Sequence, residues 1–397
     1  MSSGNHFFSF LIIAERIGVR ISSFCRPLKK IIVVGGGISG LITGIRLANA
    51  GISPILIEKK IYPFHRVCGE YISNETVPFL KSLGLFPEKF SPPALTRFQL
   101  TSVNGKVANL QLGLGGFGIS RYNFDQFLYE KAIASGVQPL LGTEVNKIQF
   151  ADNKFWVQIE DQALEADLVI GSFGKRSKID VQLGRRFIKK RSPYLGVKYH
   201  VRTDHPPDLI ALHNFKDGYC GISNIEDGKT NLCYLTHRHN LKAYGNIGAM
   251  EEAVLFKNPF LKTIFRNSEF LFEKPETINE ISFETKGPVE NHILLTGDAA
   301  GMITPLCGNG MAMAIHSAKL LSAQVIRYCK ESDYKREQLE QDYSRCWNKI
   351  FEKRLWAGRQ IQRLFGSEWT SDLAVNLMRH SKPLANFLIR KTHGHPF

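Results

Sequence analysis

The chain has 397 residues, 43% apolar and 22% charged, enough for two domains with a sizeable core. No stretch reaches the roughly 18 apolar residues that span a bilayer, and the seven cysteines show neither a C-x-x-C pair nor metal-ligand spacing, so the sequence offers no spanning helix, disulfide scaffold or metal centre. The net charge of +15 gathers in Lys175–Arg191 and in the stretch from Lys349 on. It marks a solvated basic face or an anionic partner such as a membrane surface, and with no nucleic-acid motif beside it no nucleic-acid partner is expected.

Residues 1–29 read as an appendage. Its apolar run Phe7–Ala14 is short, follows no positive side chain and precedes no clear cleavage site, so a cytoplasmic protein is expected, with membrane contact at most peripheral. The fold begins at Ile31–Val34, four apolar residues that read as a buried parallel strand. Gly35, Gly37 and Gly40 follow at the spacing G-x-G-x-x-G and open an apolar helix, Leu41–Ala50. Gly35 allows the tight turn, Gly37 lets a pyrophosphate approach the backbone, and Gly40 lets helix and sheet pack closely. The helix start presents free N–H groups to the phosphates. A second strand, Ser53–Ile57, ends at Glu58, placed to hold a ribose hydroxyl pair and to repel a 2′-phosphate. The bound nucleotide is therefore FAD or NAD.

Arg66–Glu70 (RVCGE) reads as a loop and Asn74–Leu83 as a short helix. Residues 97–113 alternate as two strands around Asn104-Gly105. Asn123 is the expected N-cap of a helix ending at Ser135. Strands follow at Val137–Leu141, Glu144–Phe150, Phe155–Ile159 and Ala163–Ile170, the last opening a loop at Gly171–Gly174. Tyr194–Val201, Leu209–Phe215, Tyr219–Asn224 and Thr230–Leu235 form a second, mainly antiparallel sheet. His292–Thr296 is a further buried strand, leading into GDAAG (297–301), then PLCGNGM (305–311) and a helix to Cys329. Asp298 can accept from the ribityl chain of a flavin, and the helix opened by Gly308–Gly310 can favour the negative charge of a reduced one. Residues 331–397 read as helical.

The GGGISG turn with Glu58, the Arg121 segment before a helix, and GDAAG followed by PLCGNG together resemble FAD-dependent oxidoreductases of the p-hydroxybenzoate hydroxylase fold. The RVCGE segment and Gly301 are similar to the geranylgeranyl reductase-related branch. The resemblance implies an α/β protein. A discontinuous Rossmann-like FAD-binding domain would span 30–90, 118–190 and 285–330. A mainly antiparallel substrate domain would span 91–117 and 191–284, with a helical region at 331–397. It also implies that Gly35, Gly37, Gly40 and Glu58 bind the ADP part of FAD, Arg66 and Arg121 lie near its phosphates and flavin, Asp298 binds the ribityl–pyrophosphate region, and Gly308, Asn309, Gly310 and Met311 meet the ring.

Two departures matter. Gly171-Ser172-Phe173-Gly174 stands where hydroxylases carry G-A-D-G, and Gly218–Asn224 lacks the Phe-Pro strand motif of the reductases. The expected activity is a flavin monooxygenase acting through a flavin hydroperoxide on an apolar or aromatic small molecule, with NADPH or NADH as transient donor. The alternatives are reduction of carbon–carbon double bonds and a flavin-binding electron carrier without turnover. Cys68, His200, His213 and Tyr219 are the candidate substrate contacts; no catalytic acid, metal ligand or oligomeric state is assigned.

Overall fold

The computed structural model describes residues 29–362, 367–381, 383 and 393–397. The expected appendage, Lys29 apart, lies outside the described residues. The elements run β1 (Ile31–Val34), α1 (Ile38–Asn49), β2 (Ile55–Glu58), β3 (Tyr71–Ser73), α2 (Val77–Ser82), β4 (Ala94–Thr101), β5 (Val107–Gly118) and α3 (Arg121–Ala134). Next come β6 (Gln138–Leu141), β7 (Val145–Ala151), β8 (Lys154–Ile159), β9 (Gln162–Ala166), β10 (Leu168–Gly171) and α4 (Lys178–Gln182). A run of strands follows, β11 (Tyr194–Arg202), β12 (Leu209–Phe215), β13 (Gly218–Asn224) and β14 (Thr230–His237), then α5 (Arg238–Tyr244), α6 (Ile247–Val254) and α7 (Pro259–Asn267). Short strands β15 (Glu269–Phe270), β16 (Glu276–Asn279), β17 (Val289–Glu290) and β18 (Ile293–Leu295) lead to α8 (Gly310–Lys330), α9 (Arg336–Gln362) and α10 (Glu368–His380).

The first sheet has the order β17-β18-β10-β1-β2-β6. Its pairs are parallel except β17 with β18, so β1 is buried at all four residues, as its apolar run requires. β7, β8 and β9 form a separate antiparallel meander. The larger sheet runs β15-β11-β14-β13-β12-β4-β5-β3, with β16 also on β11. It is antiparallel except where β4 lies parallel to β12, a junction that pairs residues 112 positions apart, such as Arg97 and Leu209, and that no local pattern announces.

Two local details differ from the expected ones. Helix α3 starts three residues earlier than an Asn123 cap would place it, because the Ser120 hydroxyl accepts from the Asn123 N–H at 3.1 Å and caps the helix itself. The helix expected over 74–83 opens as a 3₁₀ turn at Asn74–Thr76 before α2. Along α9, Leu339, Tyr343, Trp347, Phe351 and Leu355 recur every four residues and are buried. Tyr343 donates to Leu295 O at 2.6 Å, tying this helix to the end of β18. No described helix is long and apolar enough to cross a membrane.

Candidate functional site

The three motif glycines serve different ends. A Cβ on Gly35, whose φ is +106°, would lie 2.5 Å from Ser172 O. One on Gly40 would lie 2.1 Å from Gly35 O and 2.5 Å from Ser172 Oγ. Both are demanded by the chain's own packing. Gly37 is different: a Cβ there would meet nothing nearer than Arg121 Nη2 at 4.0 Å. Gly37 is also the N-cap of α1 and contributes no side-chain bond, so the first N–H groups of this twelve-residue helix are left for something else. At the end of β2, Glu58 is held in place: its Oε2 accepts from Gly36 N at 2.8 Å and its Oε1 from Lys60 N at 3.0 Å.

From this turn one continuous cavity of about 1020 Å³ runs into the molecule. Gly35, Gly37, Glu58, Arg66, Arg121 and Asp298 line its first part, and Gly308, Asn309, Gly310 and Met311 its middle. Gly308, at φ +63°, turns the chain into the 21-residue helix α8. Asp298 is partly buried, and loss of water around its carboxyl pushes it above the usual range against the pull of Lys286 and Arg121. The far part lies under the larger sheet. Phe98, Leu100, Ile210, Leu212, Tyr219 and Leu235 form its wall there.

The model of the FAD binding domain family matches residues 29–245, more than half of the sequence. The chain belongs to that family. A curated relative, the digeranylgeranylglycerophospholipid reductase of Methanocaldococcus jannaschii, is 24% identical over 329 residues, covering 80% of this chain and 81% of its own. Among solved structures, a geranylgeranyl bacteriochlorophyll reductase-like protein from Thermoplasma acidophilum superposes with a TM-score of 0.74 at 18% identity, over 93% of this chain and 96% of its own. A flavin-dependent halogenase, CmlS, gives 0.75 at 19% identity, over 94% and 74%. The members are enzymes, FAD-dependent oxidoreductases, and the fold is shared with both chemistries. The residues present fit FAD: the open side of Gly37, the uncapped first turn of α1 and the fixed carboxylate of Glu58 make a nucleotide cradle that continues into a cavity.

Beside the FAD cradle runs a buried chain of charge. Arg121 Nε and Nη2 donate to Asp125 at 2.7 and 2.6 Å. Arg66 Nε reaches the same carboxylate at 3.2 Å, and its Nη2 stands 3.6 Å from Glu58 Oε2. The Arg121 N–H donates to Glu70 Oε1 at 2.7 Å. Glu70, fully buried, also receives Lys198 Nζ on Oε1 at 2.5 Å and His200 Nε2 on Oε2 at 2.6 Å. Burial pushes the Glu70 carboxyl up, but Lys198 and His200 outweigh it and hold it at about 2. Lys198 Nζ also donates to Arg66 O at 3.1 Å, and Asn231 Nδ2 to Cys68 O at 3.2 Å. The 66–70 loop is thus pinned to the first turn of α3 and to strands β11 and β14. Sequence reasoning missed Lys198. The available signal was Lys198 and His200 on one face of a strand whose other face, Leu195, Val197, Tyr199 and Val201, is apolar.

Of the four candidate substrate contacts, Cys68 and Tyr219 line the cavity. Burial pushes the Cys68 thiol and the Tyr219 phenol above their ordinary values. His200 and His213 are not on the wall. His200 is engaged by Glu70. His213 Nδ1 pairs with Thr101 Oγ1 at 2.9 Å and its ring stacks on Phe260, where burial pushes it down to about 3.

The basic cluster at 175–191 is not one face. Lys175, Arg176 and Lys178 line the cavity, whereas Arg185 is 5% exposed. Arg185 Nη1 donates to Asp180 Oδ1 at 2.7 Å and to Ala299 O at 2.9 Å, bracing the GDAAG turn. Asp180 keeps its capping bonds to Ser177 in an Arg185→Met variant, so the expected loss is about 2 kcal/mol in a urea titration, with weaker retention of FAD on desalting.

Proposed function

We propose that the protein is an FAD-dependent reductase of carbon–carbon double bonds in an apolar, largely aliphatic substrate. The observation that supports this is the far wall of the cavity, to which β4, β12, β13 and β14 contribute no charged side chain. An aromatic substrate for hydroxylation carries a hydroxyl, amino or carboxylate group that activates its ring. Burying such a group without a partner costs several kcal/mol, and this wall offers few partners. An alkene asks for none. The missing Phe-Pro motif favours oxygen insertion, but it bears on one strand, whereas the chemistry of the wall bears on the whole ligand. The naming of the Methanocaldococcus relative as a reductase points the same way.

In this reading Gly35, Gly37 and Glu58 hold the ADP part of FAD while Gly40 lets α1 pack close to the turn, Arg66 and Arg121 compensate the phosphates, Asp298 accepts from the ribityl chain, and Gly308–Met311 face the ring. Bound FAD, once reduced, supplies a hydride equivalent. The chain supplies the rest: α1 and the two arginines neutralise phosphate charge, the apolar wall orients the substrate and excludes water, and the pinned 66–70 loop keeps Cys68 at the wall. NADPH or NADH is the proposed donor.

The test starts with holoenzyme reduced by dithionite under argon and mixed with farnesol. Reoxidation of the flavin without oxygen, and a product that has gained two hydrogens per bond, is expected. No reoxidation until air is admitted, with a product that has gained an oxygen atom, would overturn the proposal in favour of a monooxygenase.

A further inference from the structure

Residues 393–397 pack against the core of the nucleotide side and bring one imidazole to the cavity wall. Phe397 anchors the segment. Its ring stacks on His316 of α8 at 3.8 Å and lies 5.7 Å from Phe79 of α2. Its N–H donates to Glu75 O at 3.2 Å. Gly394 passes so close to the buried Glu75–Arg354 ion pair that a Cβ there would stand 2.0 Å from Glu75 Oε2 and 2.8 Å from Arg354 Nη1. The residue before it, His393, lines the cavity. Its ring is edge-on to Tyr71 at 6.4 Å, and Tyr71 in turn packs on Gly308, 3.4 Å from where a Cβ would be. The imidazole therefore lies where β3 meets the loop that opens α8.

We propose that His393 is a catalytic residue of this cavity, whose imidazolium gives the proton that completes double-bond reduction. The inference rests on the reductase reading. Reduced FAD delivers an electron pair with one hydrogen to one alkene carbon and is oxidised by two electrons. As the π bond breaks, the other carbon takes the proton from His393. Two C–H bonds form, and the neutral imidazole recovers its proton from water.

Of the other titratable groups on the wall, Lys175, pushed down to about 8 by burial, donates to Asn279 O, and Asp298, pushed up, lies in the nucleotide part of the cavity; the thiols, phenols and remaining acids suit this role poorly. Burial pushes the thiols of Cys68 and Cys233 and the phenols of Tyr71 and Tyr219 upward, making each a weaker acid. Cys307 is pushed up to about 11. Glu70, held at about 2, has no proton to give at neutral pH. His65 is pushed down to about 4 by burial and is neutral. Imidazole as a side chain can give a proton and, once neutral, take one back from water. Around the 393–397 segment stand Tyr71 of β3, Glu75, His316 and Lys319 of α8 and Arg354 of α9.

The test compares wild type with His393→Gln in anaerobic single turnover of dithionite-reduced holoenzyme with farnesol. Flavin reoxidation is expected to slow by about 100-fold or more, while the affinity for farnesol, read from the perturbed flavin spectrum, stays within about threefold. Equal rates in the two proteins overturn the inference and leave the reductase reading standing. No reoxidation in wild type overturns both. Should His393→Gln lose FAD, labelling of wild type with diethyl pyrocarbonate decides: protection of His393 by farnesol sustains its place at the substrate, and equal labelling with and without farnesol overturns it.

Discussion

Replacing Lys198 by methionine is expected to lower stability by about 3–5 kcal/mol, because it leaves the fully buried Glu70 carboxylate without its main counter-charge. The loss is felt beyond the pair. Glu70 Oε1 also accepts from the Arg121 N–H, and Lys198 Nζ holds Arg66 O, so the variant loosens both arginines that flank the FAD cradle. Weaker FAD binding is expected alongside the lower urea midpoint. The double variant Lys198→Met/Glu70→Gln is expected to recover much of the stability, since a neutral amide in the same place needs no cation. No recovery would mean that Lys198 stabilises through packing rather than charge. The pH dependence follows from the sign of the Glu70 shift. Its carboxyl is held at about 2, below the ordinary 4.5. The folded state therefore prefers the ionised form, and the stability this supplies is complete above the unfolded value and fades as the pH falls from there toward 2. The difference in urea midpoint between wild type and Glu70→Gln should be widest near neutrality and shrink below about pH 4.5.

How much of this was legible in the sequence depends on the distance over which each interaction acts. The glycine turn, the strand ending at Glu58 and the loops at Asp298 and Gly308–Met311 are local; Gly35, Gly37, Glu58, Asp298 and Gly308–Met311 line one cavity, whereas Gly40 packs against Gly35 and Ser172. The Glu70–Lys198 contact joins positions 128 residues apart, and nothing near either residue announces the other. The choice between His213 and Tyr219 turned on strand parity. On β12, Ile210 and Leu212 line the cavity with Phe98 and Leu100, so His213 sits one step out of phase and packs on Phe260 instead. Composition cannot supply that phase; it comes from the pairing of β12 with β4. The basic run at 175–191 misled for a related reason. Arg185 pairs with Asp180, five residues before it, and braces Ala299, more than a hundred residues ahead, so a cluster in sequence is scattered in space.

The glycines of the α1 turn separate folding from cofactor binding, and the two substitutions that do so should fail in opposite ways. Gly40→Ala sets a Cβ 2.1 Å from the carbonyl oxygen of Gly35. Neither is the end of a flexible side chain, so β1 and α1 must part, and a cost of about 3 kcal/mol or more is expected. The apoprotein itself should melt several degrees lower and retain no FAD. Gly37→Ala meets no protein atom nearer than Arg121 Nη2 at 4.0 Å, at φ −79°, where alanine is unstrained. The apoprotein should melt within about 2 °C of wild type. Its Cβ does occupy the space through which a pyrophosphate approaches the helix N-terminus, so the FAD dissociation constant should rise about tenfold or more. Thermal unfolding of both apoproteins, followed by FAD titration monitored by fluorescence quenching, makes the comparison. If Gly37→Ala binds FAD as wild type does, the phosphates do not cross that turn closely and the cradle described here is wrong; if it melts as early as Gly40→Ala, Gly37 serves packing after all.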